Sequence, residues 1–288
     1  MIPEAEIRRE AARLGVDLMV VDLDYALGCF LATLFRQVEG SALCFKGATC
    51  LKKCYHGDYR FSEDLDFTLM RRMTRNEVEK LISAVVARAA DEWEIDFQAR
   101  PPRVEVVDDE YGKESYQVRL YFHGPLRRRG DPRAVRLDFT TNEVVAFPVD
   151  LRPIIHAYSD AGMLTDVRVP CYDPLEMVAE KLRALAGQRK YAISRDIYDL
   201  HYLAHIHHHE ALNIQRLIEA LPAKWQAKGL AVEPPNVERL AERREEFRED
   251  WERNLRHLLP SEAVSDFDEA WRGTSLFLKE VRRVWLGQ

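Results

Sequence analysis

The chain has 288 residues, of which 47% are hydrophobic and 31% are charged, as in an ordinary folded globular protein. Its net charge of −6 argues against unspecific coating of nucleic acid, although local basic clusters are present. The sequence has no uncharged apolar run of the length that predicts a membrane span. The charged N-terminus does not resemble a signal or transit peptide, so we expect a cytoplasmic protein without membrane contact.

The first part of the chain changes from helical to extended patterns. The first forty residues have apolar side chains at helical spacing, and residues 41–46 form a short apolar run that predicts a strand ending at Gly47. A helix is predicted over residues 48–55, directly after that glycine. Residues 65–69 alternate between polar and apolar and are rich in strand formers, so they are the next predicted strand.

The middle of the chain is predicted to be mostly extended. It follows a helix over residues 74–90, where Thr74 is the expected N-cap and Glu77 completes a capping box. Strands are predicted at residues 94–98, 103–107, 115–122 and 134–140. The last two flank HGPLRRRGDPR, a polar segment with glycine and proline that suits a hairpin.

The remainder of the chain is predicted to be mainly helical. Asp173 as a capping residue, followed by Pro174 and Glu176, is a strong helix start. Ser194 is the expected N-cap of another helix, and residues 238–258 carry charges of both signs, typical of an exposed helix face. We therefore expect an α/β domain followed by a helical domain.

Two aspartates flank an apolar residue at the start of the predicted strand 65–69. Residues two apart on a strand point to the same side, so Asp64 and Asp66 would present both carboxylates to one site. Such oxygen ligands suit Mg²⁺, which binds a few carboxylates together with substrate phosphates. Gly47, at a turn that opens a helix, would offer backbone N–H groups to a triphosphate. A surface loop is the alternative, but uncompensated charge in a strand-like apolar run is costly and favours an ion site.

The stretch KGATCLKKCYHGDYRFSEDLDFTL resembles the signature of the AbiEii / MenT-like nucleotidyltransferase toxins, a branch of the polymerase-β-type nucleotidyltransferases. That signature reads approximately KGGTAL, a variable spacer and RxSxDLDF. Two later segments agree in the same order, since EKLRAL at residues 180–185 and RDIYDL at residues 195–200 match the family's EKLRAL helix and RDxxDL motif. Three ordered motifs across about residues 40–200 are far more specific than any one of them.

The resemblance implies an α+β fold, in which a polymerase-β-like core with a mixed sheet occupies residues 1–165. A helical domain, residues 166–288, would complete the active-site cleft. It further implies a Mg²⁺-dependent enzyme that transfers a nucleotide from an NTP. Characterised members act on tRNA acceptor ends and many are held in check by a cognate antitoxin, so we expect the tRNA 3′ end and an antitoxin as partners.

By motif position, the resemblance assigns Asp64 and Asp66 to catalysis and metal binding. Sites of this kind usually recruit a third carboxylate from a neighbouring strand, and Asp138, which shares a predicted strand face with Arg136 and Thr140, suits that role. A charge near an edge-strand turn is the alternative for Asp138. The expected nucleotide contacts are Lys46, Gly47, Thr49, Ser62 and Lys181.

Lys181 and Asp196 complete the expected catalytic set. Lys181 lies at the edge of an apolar helical stripe, from which its stem would reach a phosphate; an ordinary flanking lysine is the alternative. Asp196 is implied to be a further acid or base, against the alternative of an acid in the first turn of a helix. Asp199 is the second choice for this chemistry. One departure from the signature is Ala48, where the family usually has a glycine and a methyl group would affect NTP binding.

Two other functions stay open at this point. One is nucleotidylation of a protein or a small molecule, and the other is a non-catalytic binding module that retains the fold. Cys50 and Cys54 lie one helical turn apart, a spacing that suits a metal or redox pair, but they are interpreted as small buried hydrophobes. No catalytic role is expected for three consecutive histidines, which suit a polar helix end or loop: His207, His208 and His209. Nor is one expected for three tryptophans that are interpreted as packing residues: Trp251, Trp271 and Trp285.

Overall fold

A computed structural model describes residues 1–108, 114–127, 131–141, 143–185, 191–206, 212–263 and 266–288. The chain divides into two compact units. The first consists of Met1–Glu143, Val149–Tyr172 and Pro260–Ala263, and the second of Val144–Pro148, Asp173–Leu259 and Val264–Gln288. The expected roles of two domains in one active site stay a prediction.

Within the described residues of the first unit, seven strands form one mixed sheet in the order β3-β4-β5-β2-β1-β7-β6. Parallel pairs join β2 to β5 and β1 to β7, and the other neighbours are antiparallel. This arrangement confirms the α+β prediction. The strands are β1 (Leu43–Lys46), β2 (Asp64–Leu69), β3 (Asp96–Asp108), β4 (Glu114–His123), β5 (Arg133–Thr140), β6 (Asp150–Arg152) and β7 (Val169–Cys171).

One face of this sheet is the core of the first unit. Phe45, Phe67 and Phe139 stand side by side on β1, β2 and β5, with ring centroids 5.2 Å apart in both neighbouring pairs. All three rings are fully buried. Because strand residues alternate between faces, the polar residues next to these phenylalanines point to the opposite side.

The helices of the first unit cover that core. They are α1 (Glu4–Leu14), α2 (Leu18–Phe35), α3 (Gly47–Cys50), which continues as a π-helical turn over Leu51–Tyr55, and α4 (Arg75–Trp93). By length and composition α2 resembles a membrane span, but most of it is buried inside the protein. Its Asp24 accepts a hydrogen bond from Lys53 at 2.6 Å, as expected for a core helix whose buried charge is paired.

The predicted capping box at the start of α4 is confirmed. The Thr74 hydroxyl accepts from the backbone N–H of Glu77 at 3.3 Å, and the Glu77 carboxylate accepts from the backbone N–H of Thr74 at 2.8 Å. At the other end of the helix, the Trp93 indole N–H donates to Thr33 of α2 at 2.9 Å.

The predicted strands 94–98 and 103–107 are in fact one strand. In β3 the pairing with β4 shifts register on both sides of Arg100, just before Pro101 and Pro102. The two prolines are tolerated because β3 lies at the edge of the sheet and its register shifts break the regular ladder there. The strands β6 and β7 are absent from the sequence prediction, since three residues are too few to show a periodicity.

The second unit is helical in its described residues. The predicted start at Asp173 is confirmed, because its carboxylate accepts from the backbone N–H of Leu175 at 2.7 Å. The helices are α5 (Pro174–Arg183), α6 (Ser194–His201), α7 (Ile214–Ala227), α8 (Val237–Glu242), α9 (Arg244–Asp250) and α10 (Phe267–Trp285), with π-helical turns over Tyr202–Ile206 and Trp251–Leu255. The predicted histidine loop, His207–His209, lies outside the described residues.

Two predictions for this unit are wrong. Ser194 is the first residue of α6 and not its N-cap, because its backbone N–H and hydroxyl both donate to the Asp250 carboxylate at 2.7 Å. Residues 238–258 do not form one exposed helix, since the backbone leaves helical geometry at Arg243. Beyond that break Phe247 and Trp251 are buried, and the charged residues cover only the outer face.

The short segment Val144–Pro148 belongs to the second unit through Glu176. One oxygen of this carboxylate accepts from the backbone N–H groups of Ala146 and Phe147, both at 2.8 Å. The other oxygen pairs with the ammonium of Lys224, and both side chains are fully buried. A buried carboxylate left without its cation is strongly destabilising, so this pair is a stability determinant of the unit.

We expect Lys224→Met to lower the free energy of unfolding by about 3–5 kcal/mol, because it leaves the Glu176 charge buried and unpaired. Adding Glu176→Gln should recover part of this loss, since the amide oxygen still accepts from the backbone. Thermal and denaturant unfolding measure both effects, with the exposed Lys279→Met as the control. Equal decreases in the free energy of unfolding of Lys224→Met and Lys279→Met would contradict this account.

Candidate active site

The strand register aligns polar side chains on the face opposite the phenylalanines. Lys46 of β1 lies opposite Asp66 of β2, Asp66 lies beside Asp138 of β5, and Asp138 lies opposite Gln117 of β4. Residues paired in register point to the same face of a sheet. The structure therefore places Asp138 next to the Asp64–Asp66 strand, as the sequence predicts.

Hydrogen-bond donors hold two of the three aspartates. The Asp64 carboxylate accepts from the Ser62 hydroxyl at 3.0 Å and from the Arg136 guanidinium at 3.1 Å. The same guanidinium lies 2.9 Å from the Asp138 carboxylate, which also accepts from the Gln117 amide at 2.9 Å. Arg136 thus bridges Asp64 and Asp138, and the positions of both carboxylates are fixed.

Asp66 is the electrostatically unfavourable member of the set. Burial, together with the negative charges of Asp64 and Asp138, raises its pKa to about 8, although Lys46 and Arg136 act in the opposite direction. Without a further positive charge, ionisation of Asp66 beside the other two carboxylates is unfavourable at neutral pH. A divalent cation would remove this conflict, so the residues suit an ion with oxygen ligands.

The turn at Gly47 lies very close to the side chain of Asp66. Its φ is +77°, a conformation that side-chain-bearing residues rarely adopt, and a Cβ at this position would lie 2.4 Å from an Asp66 carboxylate oxygen. The Thr49 hydroxyl donates to the backbone carbonyl of Asp64 at 2.5 Å. This hydrogen bond ties the start of α3 to the start of β2, and the close approach of Gly47 places the turn beside the Asp66 carboxylate.

Lys46 adds a buried positive charge on the same face. Its ammonium lies 3.9 Å from the Glu143 carboxylate and 5.5 Å from the centre of the Tyr172 ring. The neighbouring Ala48, which replaces the family glycine, is buried. Of the nucleotide contacts predicted for the first unit, Lys46, Gly47 and Thr49 lie at the end of β1 and in this turn, and Ser62 lies two residues before β2.

The second unit has a cluster of its own. The Lys181 ammonium of α5 lies 3.0 Å from Asp196 and 2.6 Å from Asp199, which are three residues apart on α6. Asp199 is fully buried, Asp196 is almost so, and Lys181 is partly exposed. The structure thus joins the predicted pair, Lys181 and Asp196, to the second choice, Asp199, in one ionic cluster.

Asp196 also lines a small, shallow depression of the second unit, whose cavity volume is about 10 Å³. Arg239 and Arg243 line it as well, together with the aromatic side chains of Tyr191 and Phe247. Sequence reasoning missed the two arginines, because their spacing of four residues is that of any solvated helix face.

Sequence reasoning also missed the bridging role of Arg136 and the contact from Gln117. The alternation within β5 does place Arg136 on the face of Asp138, which is the available signal. The position of Gln117 requires the register between β4 and β5, which no local pattern specifies.

Residues 29–273 match the family described as "Nucleotidyl transferase AbiEii toxin, Type IV TA system". The chain therefore belongs to this family of nucleotidyltransferase toxins, which confirms the resemblance. The family implies an NTP substrate and a cognate antitoxin. No curated protein sequence matches the chain significantly.

Solved structures support the fold. MenT4, a nucleotidyltransferase toxin from Mycobacterium tuberculosis H37Rv, is 19% identical, with 99% of each chain covered and a TM-score of 0.58. JHP933 from Helicobacter pylori is 15% identical, with 95% of this chain and 96% of that chain covered and a TM-score of 0.54. At these identities the likeness concerns the fold alone.

The raised pKa of Asp66 has a consequence for stability. Between about pH 4 and pH 8 the folded chain keeps a proton that the unfolded chain has released, so this group's contribution is full below pH 4 and declines up to pH 8. At pH 8.5 we expect Asp66→Asn to have a higher melting temperature than the wild type, by roughly 2–4 °C for each kcal/mol gained in the free energy of unfolding. At pH 4 the two melting temperatures should be close.

The melting temperatures are measured by scanning fluorimetry with and without a divalent cation. The cation should raise the melting temperature of the wild type at pH 8.5 and leave that of Asp66→Asn unchanged. Asp91→Asn, an exposed aspartate of α4, is the control for removal of one charge. A difference between wild type and Asp66→Asn that does not change with pH would refute the electrostatic account.

Proposed function

We propose that this nucleotidyltransferase transfers NMP from an NTP to an RNA acceptor, the tRNA 3′ end, in the cytoplasm and with Mg²⁺ as its metal. The observation that carries the proposal is the in-register set of Asp64, Asp66 and Asp138 beside the Gly47 turn. The family supplies the reaction class, and the ligand set supports the metal.

The three aspartates would hold Mg²⁺, a hard cation that prefers carboxylate and phosphate oxygens. When bound, the ion supplies positive charge for the triphosphate and for the oxygens at which charge develops. Ser62 and Arg136 keep Asp64 oriented, and Arg136 and Gln117 do the same for Asp138. Lys46, Gly47 and Thr49 would form the triphosphate cradle.

The proposed reaction is an in-line substitution at the α-phosphorus. The acceptor hydroxyl oxygen forms a new bond to phosphorus, while the bond to the bridging oxygen breaks and pyrophosphate leaves with the electron pair. Asp196 is proposed to orient the acceptor or to accept the hydroxyl proton. Lys181, now paired with Asp196 and Asp199, is proposed to contact a nucleotide phosphate.

The second unit supports an RNA acceptor. Arg239 and Arg243 line the same depression as Asp196, and guanidinium groups bind phosphates in a bidentate manner. A nucleic acid presents phosphates at regular intervals, whereas most proteins and small molecules do not. The tRNA 3′ end remains the preferred acceptor by family analogy.

The reaction is tested by incubating the full chain with each α-³²P-labelled NTP, Mg²⁺ and total tRNA. We expect label on tRNA from the wild type and from Asp91→Ala, and a loss of at least about 100-fold in Asp64→Ala. Label on tRNA should also decline steeply between about 50 and 200 mM salt, because phosphate contacts release counterions. Omission of Mg²⁺ should abolish the label.

Other outcomes of this experiment would replace the proposal. Label on protein instead of RNA would indicate a protein-modifying enzyme. Absence of label with every NTP, from a folded wild type, would indicate a binding module without turnover.

The Gly47 turn gives a second prediction. Gly47→Ala should reduce transfer by about tenfold or more, because its methyl group collides with Asp66 and φ is unfavourable. Ala48→Gly is the matched variant, and it should retain or increase activity because it restores the usual family residue. The test is to measure the steady-state rates of both variants after circular dichroism has shown that each is folded. Full activity in Gly47→Ala would exclude a triphosphate cradle at this turn.

A further inference from the structure

Three buried cysteines lie together in the first unit. Cys50 ends α3, Cys54 lies in the π-helical turn that follows, and Cys171 ends β7. Their sulfur atoms all lie within 4.8 Å of one another. Each side chain is almost completely buried, at 0%, 1% and 0% exposure.

The fold brings these distant positions together through β1. Phe45 of β1 pairs with Cys171 of β7, and α3 begins directly after β1, so the end of β7 lies beside the helix. The Tyr55 hydroxyl donates to the backbone carbonyl of Tyr172 at 2.8 Å, one residue beyond Cys171. The cluster is therefore held by contacts of the surrounding backbone, independently of the sulfur atoms.

The dimensions of the cluster suit a metal ion. A zinc–sulfur bond of about 2.3 Å places the sulfur atoms of a tetrahedral site about 3.8 Å apart, within the span observed here. Sulfur ligands select soft ions such as Zn²⁺ and Cu⁺, and they discriminate against Mg²⁺. The carboxylates and the cysteines would therefore recruit different ions.

One of the three sulfur atoms, that of Cys54, lies near positive charges that favour the metal-binding thiolate. Contact with the sulfur atoms of Cys171 and Cys50 lowers the pKa of Cys54, and the positive charges of Lys53 and Arg152 act in the same direction. Burial raises the pKa of Cys50 and of Cys171, whose thiol donates to the backbone carbonyl of Val169 at 3.3 Å. Arg152 also donates to the backbone carbonyl of Cys54 at 3.3 Å. A thiolate is the nucleophilic, metal-binding form of cysteine.

We propose that Cys50, Cys54 and Cys171 form a three-thiolate site for a soft metal ion, Zn²⁺ or Cu⁺. Because the sulfurs are closed off from solvent, no substrate reaches the ion, and its role would be structural. It would tie α3, and with it the Gly47 turn, to β7. On binding, any ligand sulfur that is still a thiol releases its proton to solvent, and no electron is transferred.

The test is metal retention by the purified full chain under reducing conditions. The chain is incubated anaerobically with Zn²⁺ or Cu⁺, desalted, and analysed by elemental mass spectrometry. We expect about one ion per chain in the wild type and in Cys29→Ser, and a large loss in Cys54→Ser. Cys29 is the matched control, a buried cysteine of α2 outside the cluster. Competition between the two ions then identifies which one the site prefers.

A second measurement uses only the wild type, so its result does not depend on whether a cysteine variant folds. Titration of the wild type with Cd²⁺ should produce a sulfur-to-metal charge-transfer band that saturates at one equivalent, together with a higher melting temperature. Failure of the wild type to retain either ion, equal retention in Cys54→Ser, or a disulfide between two of these cysteines in freshly isolated protein would overturn the proposal.

Discussion

The parallel pairing of β2 with β5 sets Asp66 beside Asp138 and Asp64 beside Arg136, and the chemistry of the first unit depends on this register. A slip of one residue would turn the carboxylates into the phenylalanine core and the phenylalanines outwards. With the observed register, Arg136 compensates two carboxylates and the third, Asp66, keeps a raised pKa. The sheet thus concentrates more negative charge than its own cations balance, which is the property that a site for a metal-bound triphosphate requires.

In the second unit, the buried charges are paired with opposite charges of the same unit. Glu176 pairs with Lys224 in the interior and also accepts from two backbone N–H groups, so its charge is satisfied within the unit. Lys181 is shared by Asp196 and Asp199, of which Asp199 is fully buried. A buried ion pair adds little stability by itself but is costly to break, so these clusters fix the positions of α5, α6 and α7.

Local patterns in the sequence were sufficient for the elements that carry the first site. The Gly47 turn, β2, β5 and the Thr74 capping box each have a signal within a few residues, and three ordered motifs identified the family. The features that the sequence did not predict depend on distant residues. Ser194 donates to Asp250, so it is not the N-cap, and the pairing of β7 with β1 brings Cys171 to Cys54. The very short strands β6 and β7 carry no periodicity of their own. The roles assigned to individual site residues stay predictions.

The most direct test of the central claim is anomalous diffraction from crystals grown above pH 8 with Mn²⁺ and a non-hydrolysable NTP analogue. Mn²⁺ replaces Mg²⁺ at oxygen-rich sites and can be located by its own signal. The account predicts an anomalous peak at coordination distance from Asp64, Asp66 and Asp138, with analogue phosphates completing the ligand shell. A well-occupied analogue with no peak at these carboxylates, or with the ion bound elsewhere, would contradict it.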